Sequence, residues 1–243
     1  MVTMLKTKYR NWMASDNKWR KLGVSVHYWL FRRRLWNDLV RLDTKEKFRA
    51  IYRNNLWNNE ESYSGGGSTF RRTSQIRAQL PALLKKRNIK SICDAGCGDF
   101  NWMKYLEIGE VNYVGVDIVT EVIDTNRTLH GNERRVFVDL NIIEEVVPQV
   151  DLILCRECLF HLPYADIDRT ISNFKASGSS YLLTTHCPDI KRNVDTITGG
   201  CRGLNLTLAP FHFPQPLTIL AEDQSRNCLA LWALADIQVR SSD

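Results

Sequence analysis

Asp94-Ala95-Gly96-Cys97-Gly98 is the stretch of this chain whose residue types speak most directly of chemistry. It falls between a short apolar run and a segment with helical spacing. Glycines in such a turn let the backbone pass close to a ligand without Cβ clashes. A helix starting after them would offer free N–H groups to a carboxylate or phosphate. Asp117 stands 23 residues after Asp94, at the end of the next apolar run. A carboxylate there can accept hydrogen bonds from both hydroxyls of a ribose. It can equally cap the helix that follows. Together the two features predict a nucleotide-like ligand. NAD fits less well, because its fingerprint needs a third glycine and position 101 is Asn101. An acidic residue ahead of the glycines, Asp94, suits a ligand with a cationic amino-acid portion.

A second group of candidates lies in Cys155-Arg156-Glu157-Cys158-Leu159-Phe160-His161-Leu162. Glu157 and His161 are four apart and share a face if the segment is helical. Histidine has a reference pKa of about 6.5, suited to proton transfer. A structural histidine hydrogen-bonded beneath the segment is the alternative. Arg156 either binds substrate or pairs with a nearby carboxylate. His186 is a weaker candidate of the same kind. Arg202, Asn205 and the aromatics of 210–216 belong to a long irregular stretch that either walls a pocket or simply packs. The seven cysteines lie mostly inside apolar runs, as buried thiols do. Cys93 and Cys155 sit in strand-like runs rather than loops, so the pairs Cys93/Cys97 and Cys155/Cys158 predict no metal site. A reducing, cytoplasmic setting fits this usage.

These residues need a frame, and the pattern from residue 90 onward supplies one. Strands are expected at 91–94, 113–117, 136–138, 150–155 and 181–185, with helices at about 100–107, 119–130 and 164–175. That alternation predicts an α/β parallel sheet covered by helices. Two strands at 217–220 and 228–237, joined by the polar turn 222–227, predict an antiparallel hairpin at the end. Ahead of the sheet, a helix is expected at 71–87 with Ile76, Leu80, Leu83 and Leu84 on one face. Pro81 inside it makes a kink or break an option. Residues 62–68 read as a loop by composition. Helical segments are expected at 5–20, 24–41 and 44–54, the last capped by Asp43 or Thr44. The organisation is thus a helical basic N-terminal extension, 1–60, and an α/β domain, 61–243.

Charge divides at the same place. The net charge of +6 is made of 14 Lys/Arg against 5 Asp/Glu in residues 1–60 and 19 against 22 in the rest. Five of the seven tryptophans, Trp12, Trp19, Trp29, Trp36 and Trp57, lie in the basic part. An amphipathic basic helix of this kind either packs on its own domain or lies on an anionic membrane surface. Contact with nucleic acid is a lesser alternative. No apolar run reaches the roughly 18 residues of a membrane span, and no secretory signal is expected. The expected place is the cytoplasm, with peripheral contact at the inner membrane surface as an option.

Asp94-Ala95-Gly96-Cys97-Gly98 resembles motif I of the class I S-adenosylmethionine (SAM)-dependent methyltransferases, and the likeness extends over about 90–237. It implies a seven-stranded, mostly parallel Rossmann-like sheet with a C-terminal antiparallel hairpin. Gly96 and Gly98 would line the methionine part of SAM, Asp94 its amino end, Asp117 the ribose and Asp139 the adenine amino group. A turn or cap role is the alternative for Asp139. Trp102, Ile118, Leu140 and Arg156 complete the expected cofactor-binding set, and His161 and Glu157 the catalytic one. A narrower block, Glu61-Ser62-x-Ser64-Gly65-x-Gly67-Ser68, then Asp94-x-x-Cys97-Gly98-Asp99-x-Asn101-Trp102, then Arg156-x-x-x-x-His161-Leu162, is similar to a little-characterised group of stand-alone, mostly bacterial methyltransferases. The resemblance implies methyl transfer from SAM, and the leading reading for the acceptor is a small-molecule or glycan hydroxyl. No Asn-Pro-Pro-Tyr type motif follows the fourth strand, a departure from adenine and amide N-methyltransferases. A nucleic-acid modifier and a SAM-binding protein without catalysis are the competing readings.

Overall fold

The computed structural model describes residue 39, residues 41–222 and residues 226–240. The expected helices at 5–20 and 24–41 therefore lie outside the described residues, apart from Leu39 and Arg41. So do Trp12, Trp19, Trp29 and Trp36. The chain divides into two compact units, 1–56 and 57–243.

In the first unit, α1 (Thr44–Arg53) begins at Asp43, whose Oδ1 accepts the Glu46 amide at 2.8 Å. This cap satisfies one of the donors that a helix start leaves unpaired. Ile51 is buried, and the Asn54 amide closes the helix on the Ala50 carbonyl.

The second unit is a seven-stranded sheet: β1 (Ser91–Ala95), β2 (Asn112–Asp117), β3 (Arg135–Asp139), β4 (Leu152–Cys155), β5 (Tyr181–His186), β6 (Thr218–Ala221) and β7 (Cys228–Ala233). Their order is β3-β2-β1-β4-β5-β7-β6. The first five are parallel, and β7 runs antiparallel to both β5 and β6. The residues of β4 are all buried and so are four of the five in β1, as expected of strands covered on both faces. Helices α2 (Ser74–Lys86), α3 (Thr120–His130) and α4 (Tyr164–Ala176) supply the cover. Ile76, Leu80, Leu83 and Leu84 of α2 are buried as a stripe, and the helix continues through Pro81. Among the described residues no helix is long and apolar enough to cross a membrane.

Two elements differ from expectation. No α-helix forms at 100–107; there is only a 3-10 turn at Met103–Tyr105. Phe100 has φ +56°, a left-handed conformation that ends helical propagation. Its ring instead packs edge-on against Tyr113 and Phe137, with centroids 5.3 and 5.2 Å away. The last strand also stops at Ala233 rather than running to 237. A 3-10 turn follows at Leu234–Asp236, where the Lys175 ammonium donates to the Leu234 and Ile237 carbonyls.

The chain leaves β1 for β2 and β3 on one side, then returns for β4 and β5 on the other. The carboxyl ends of β1 and β4 are therefore neighbours at a topological switch point, where open α/β sheets bind ligands. Their register is held from the opposite end by Asp151. Its Oδ2 accepts the Lys90 amide at 2.7 Å, the Ser91 amide at 3.0 Å and the Ser91 hydroxyl at 3.0 Å. Hydrogen bonds to a charged group contribute roughly 1.5–3 kcal/mol. Asp151→Ala should lower the free energy of unfolding by about that amount in a urea titration. A change below about 0.5 kcal/mol would mean that the two strands hold register without it.

Candidate active site

The turn after β1 is shaped by its own chain. The Gly96 and Cys97 amides both donate to the Val116 carbonyl, at 2.9 and 3.0 Å. Gly96 has φ +83° and Gly98 φ +55°, which side chains other than glycine adopt with strain. A Cβ on Gly96 would stand 3.0 Å from Cys158 Sγ, and one on Gly98 would stand 2.2 Å from Ser64 Oγ. The space that a Cβ would fill at these two glycines is thus taken by Cys158 and Ser64. The anion-binding helix start is also not formed. The Gly98 amide donates to Asp117 Oδ2 at 3.0 Å and the Asp99 amide to Ser64 Oγ at 2.8 Å.

Three carboxylates line the strand ends. Asp94 is buried and accepts the Tyr113 hydroxyl at 2.7 Å. Burial pushes its pKa up to about 7, against the pull of that hydrogen bond and of the Arg156 charge. Asp117 accepts the Val119 amide on Oδ1 at 3.0 Å as well as Gly98 on Oδ2. Its capping and turn-bridging roles coexist, and the Ile118 backbone also acts on the carboxylate as a donor. Burial raises its pKa too, opposed by those backbone donors. Asp139 pairs with Asp117 across the parallel strands and accepts the Thr120 hydroxyl at 2.5 Å. Ile118 is half-buried beside Asp117, and Leu140 is buried with its amide on the Asp117 carbonyl at 3.0 Å.

Across the switch point, Arg156 is committed. Nε and Nη2 meet Glu222 at 3.1 and 3.0 Å, and Nη2 also donates to the Gly67 carbonyl at 2.8 Å. The two side chains are 3% and 1% exposed. Of the two alternatives for Arg156, the pairing with a carboxylate is the one observed. Its guanidinium lies 5.5 Å from the ring of Trp102, which is buried. Burial raises the Glu222 pKa, with Arg156 opposing.

The segment after β4 is not an α-helix, so Glu157 and His161 do not share a helical face. Glu157 sits at φ +53°, and only a 3-10 turn spans Leu159–His161. The Glu157 amide donates to Thr185 Oγ1 at 2.8 Å, and Oε1 accepts Asn227 Nδ2 at 3.3 Å. Its carboxylate lies so near Gly67 that a Cβ there would be 2.5 Å from Oε2. The His161 ring stacks on Trp57 at 5.1 Å, and Nδ1 lies 2.5 Å from the Gly200 carbonyl. A carbonyl can only accept, so this bond assigns the proton to Nδ1 and leaves the lone pair on Nε2. Burial lowers the His161 pKa to about 4, the Gly200 bond opposes, and the Arg202 charge lowers it further.

The remaining candidates all make contacts within the chain. His186 is buried, takes the Leu206 amide on Nδ1 at 3.2 Å and meets the Trp232 ring edge-on. Asn205 exchanges hydrogen bonds with Asn193, and Phe211 and Phe213 are buried. Arg202 donates to the Phe160 carbonyl at 2.6 Å and the Val194 carbonyl at 3.2 Å. Five of the seven cysteines are buried, Cys158 is partly so, and Cys201 is exposed. Among the described residues, no group of three or more His, Cys, Asp or Glu could hold a metal ion. Sequence reasoning did not single out Trp57, Asp99 or Glu222 for roles at the site. The only signal for Asp99 was its place in the narrow block beside Ser64.

A family described as a methyltransferase domain matches residues 69–218, more than half of the chain. The chain belongs to this methyltransferase family. It is a class I SAM-dependent methyltransferase, with the sheet order and reversed last strand of that fold. No curated protein matches its sequence. Among solved structures, it is similar to the magnesium protoporphyrin IX methyltransferase ChlM of Synechocystis PCC 6803 with bound SAM. The identity there is 15%, over 79% of this chain and 97% of that one, with a TM-score of 0.51. LaPhzM gives 10% identity over 76% and 58% of the two chains, with a TM-score of 0.52. The methyltransferase spans 65% of the bacterial CtHen1 methyltransferase domain, with 47% of its own length, 17% identity and a TM-score of 0.42. At such identities the likeness speaks to the fold.

Asp94 gives the methyltransferase a testable pH dependence. Its pKa is about 7 when folded, against an ordinary 3.8. Between these values the folded protein holds a proton that the unfolded chain has lost, so stability falls as pH rises through the window. Asp94→Asn stays neutral and keeps an acceptor for Tyr113. It should stabilise the ligand-free protein at pH 8, by at most about 4 kcal/mol, and have little effect at pH 4. Parallel thermal melts check this. A variant equally or less stable at pH 8 would show that the buried carboxylate carries no such cost.

Proposed function

We propose that this methyltransferase methylates an oxygen of a small-molecule or glycan acceptor, between the turn after β1 and the segment after β4. Bound SAM supplies the methyl group on a sulfonium; the residues of the chain bind it, orient the acceptor and manage the proton. Their chemistry fits that ligand. Asp117 is an ionisable acceptor at the end of β2, held by backbone donors and suited to ribose hydroxyls. A neighbouring ammonium would draw Asp94 to its ionised form, offsetting the burial that now raises its pKa. Asp139 stands at the adjacent strand end for the adenine amino group. Gly96 and Gly98 offer backbone to the methionine portion, and Trp102, Ile118 and Leu140 offer apolar surface. Arg156 holds the wall of the site through Glu222 rather than the cofactor.

The observation that carries the acceptor side is His161. Its proton is fixed on Nδ1 by Gly200, its ring is clamped on Trp57, and Nε2 keeps a lone pair. With a pKa of about 4 it is neutral at physiological pH and accepts a proton only weakly. An acceptor oxygen that is itself acidic, such as a phenol, enol or carboxyl group, would need the least help from it. Holding the acceptor in line with the methyl group then carries much of the rate.

Two substitutions test the division of labour, using labelled SAM and a panel of phenolic and carboxylic acceptors. His161→Ala should lower kcat while SAM affinity stays within about threefold, roughly 0.65 kcal/mol. Wild-type turnover in both His161→Ala and Glu157→Ala would remove proton handling by either. Asp117→Ala should weaken SAM at least tenfold, since a charged acceptor of two hydroxyls is lost. An unchanged dissociation constant in a folded variant would place the ribose elsewhere.

A nucleic-acid acceptor is the second reading. Phe70 and Tyr105 are exposed and meet edge-on at 5.0 Å, with Lys104 5.1 Å from the Tyr105 ring. Arg77, however, already lies 3.5 Å over the Phe70 ring, which takes up a face that a base would need. A salt-dependent electrophoretic shift with RNA or DNA decides between the two.

A further inference from the structure

We propose that Ser64 binds the methionine carboxylate of SAM. The proposal rests on the reading that the methionine portion lies along the Gly96–Gly98 turn. A carboxylate there needs donors, and the backbone does not supply them directly. The Gly98 amide is held by Asp117 and the Asp99 amide by Ser64. Ser64 Oγ receives that second N–H at 2.8 Å. Among the described residues its own proton meets no acceptor. The hydroxyl thus stands in place of the backbone donor it consumes, one atom further out. It is polarised in the right sense, because accepting from an amide makes an O–H a better donor.

Its position is equally specific. Ser64 Oγ lies 2.2 Å from the point where a Gly98 Cβ would be. A ligand running along this turn meets Ser64 where it would otherwise meet Gly98. The hydroxyl is also held ready. Asp99 takes the Ser62 hydroxyl on Oδ1 at 2.9 Å and the Tyr63 amide on Oδ2 at 2.8 Å. Asn101 Nδ2 donates to Glu61 Oε1 at 2.9 Å and to the Ser68 carbonyl at 3.1 Å. Residues 61–68 are thereby bound at both ends to 99–101, and Ser64 sits between the anchors. A donor held before the ligand arrives loses little freedom on binding.

The test compares ligands that differ only at the carboxylate. Calorimetry on the full chain would measure SAM, its demethylated product and decarboxylated SAM against wild type and Ser64→Ala. The expected result is a loss of about tenfold for SAM and its product, with decarboxylated SAM within twofold. Equal losses for all three would mark a structural role and overturn the proposal, as would unchanged affinities throughout. Should Ser64→Ala fail to fold, Ser64→Cys keeps the shape with a weaker donor. It should show a smaller loss, again confined to the carboxylate-bearing ligands. Wild-type protein that binds none of the three ligands would overturn the cofactor reading itself, a result distinct from the others.

Discussion

Arg156 and Glu222 are both taken almost entirely out of water, and much of the site hangs on that pair. Desolvating two charges is costly unless geometry and further hydrogen bonds compensate. Here both conditions hold: the contact uses two guanidinium nitrogens and both carboxylate oxygens, and the Gly67 carbonyl takes a further bond from Nη2. Three segments far apart in sequence are joined as a result: the end of β4, the residue after β6, and the 61–68 strap. Removing one partner would leave an uncompensated buried charge, which typically costs about 3–5 kcal/mol. The pair also sets the electrostatics next door, since the Arg156 charge acts to hold down the pKa of buried Asp94.

Close approach is the second constraint. Gly67 lies against the Glu157 carboxylate, Gly96 against Cys158 and Gly98 against Ser64. At each point a side chain from a distant segment reaches backbone without a Cβ between them. Gly115 plays the same part deeper in the sheet, where a Cβ would stand 2.7 Å from the Phe137 ring. That ring completes the aromatic cluster with Phe100 and Tyr113, and the Tyr113 hydroxyl is the donor to Asp94. Core packing is therefore connected to the charged end of the site through one tyrosine.

Several groups here are held away from their ordinary states. Asp94 and Asp117 are carboxyls with raised pKa, His161 is an imidazole with a lowered one, and Glu157 keeps a left-handed backbone. Such departures cost stability and concentrate where function is served. A cationic, hydroxyl-rich ligand would relieve such carboxylates.

The strands, the glycine turn, the acidic residues at two strand ends and the reversed last strand were legible in the sequence. Each is written in local order: apolar runs of strand length, turn residues between them, and a hairpin short enough to close on itself. The narrow block even named residues of the strap network, without saying what joined them. What the sequence could not convey was which partners meet across the chain. Phe100, Trp102, Met103 and Leu106 carry helical spacing, but Phe100 turns left-handed to pack with Tyr113 and Phe137. Arg156 finds Glu222 66 residues away, and Asp99 finds Ser64 35 residues away. His161 takes its tautomer from Gly200, 39 residues on. Periodicity reports the environment of one element, its buried and exposed faces. The pairing of polar groups depends on which loops the sheet order brings together, and only the tertiary structure decides that.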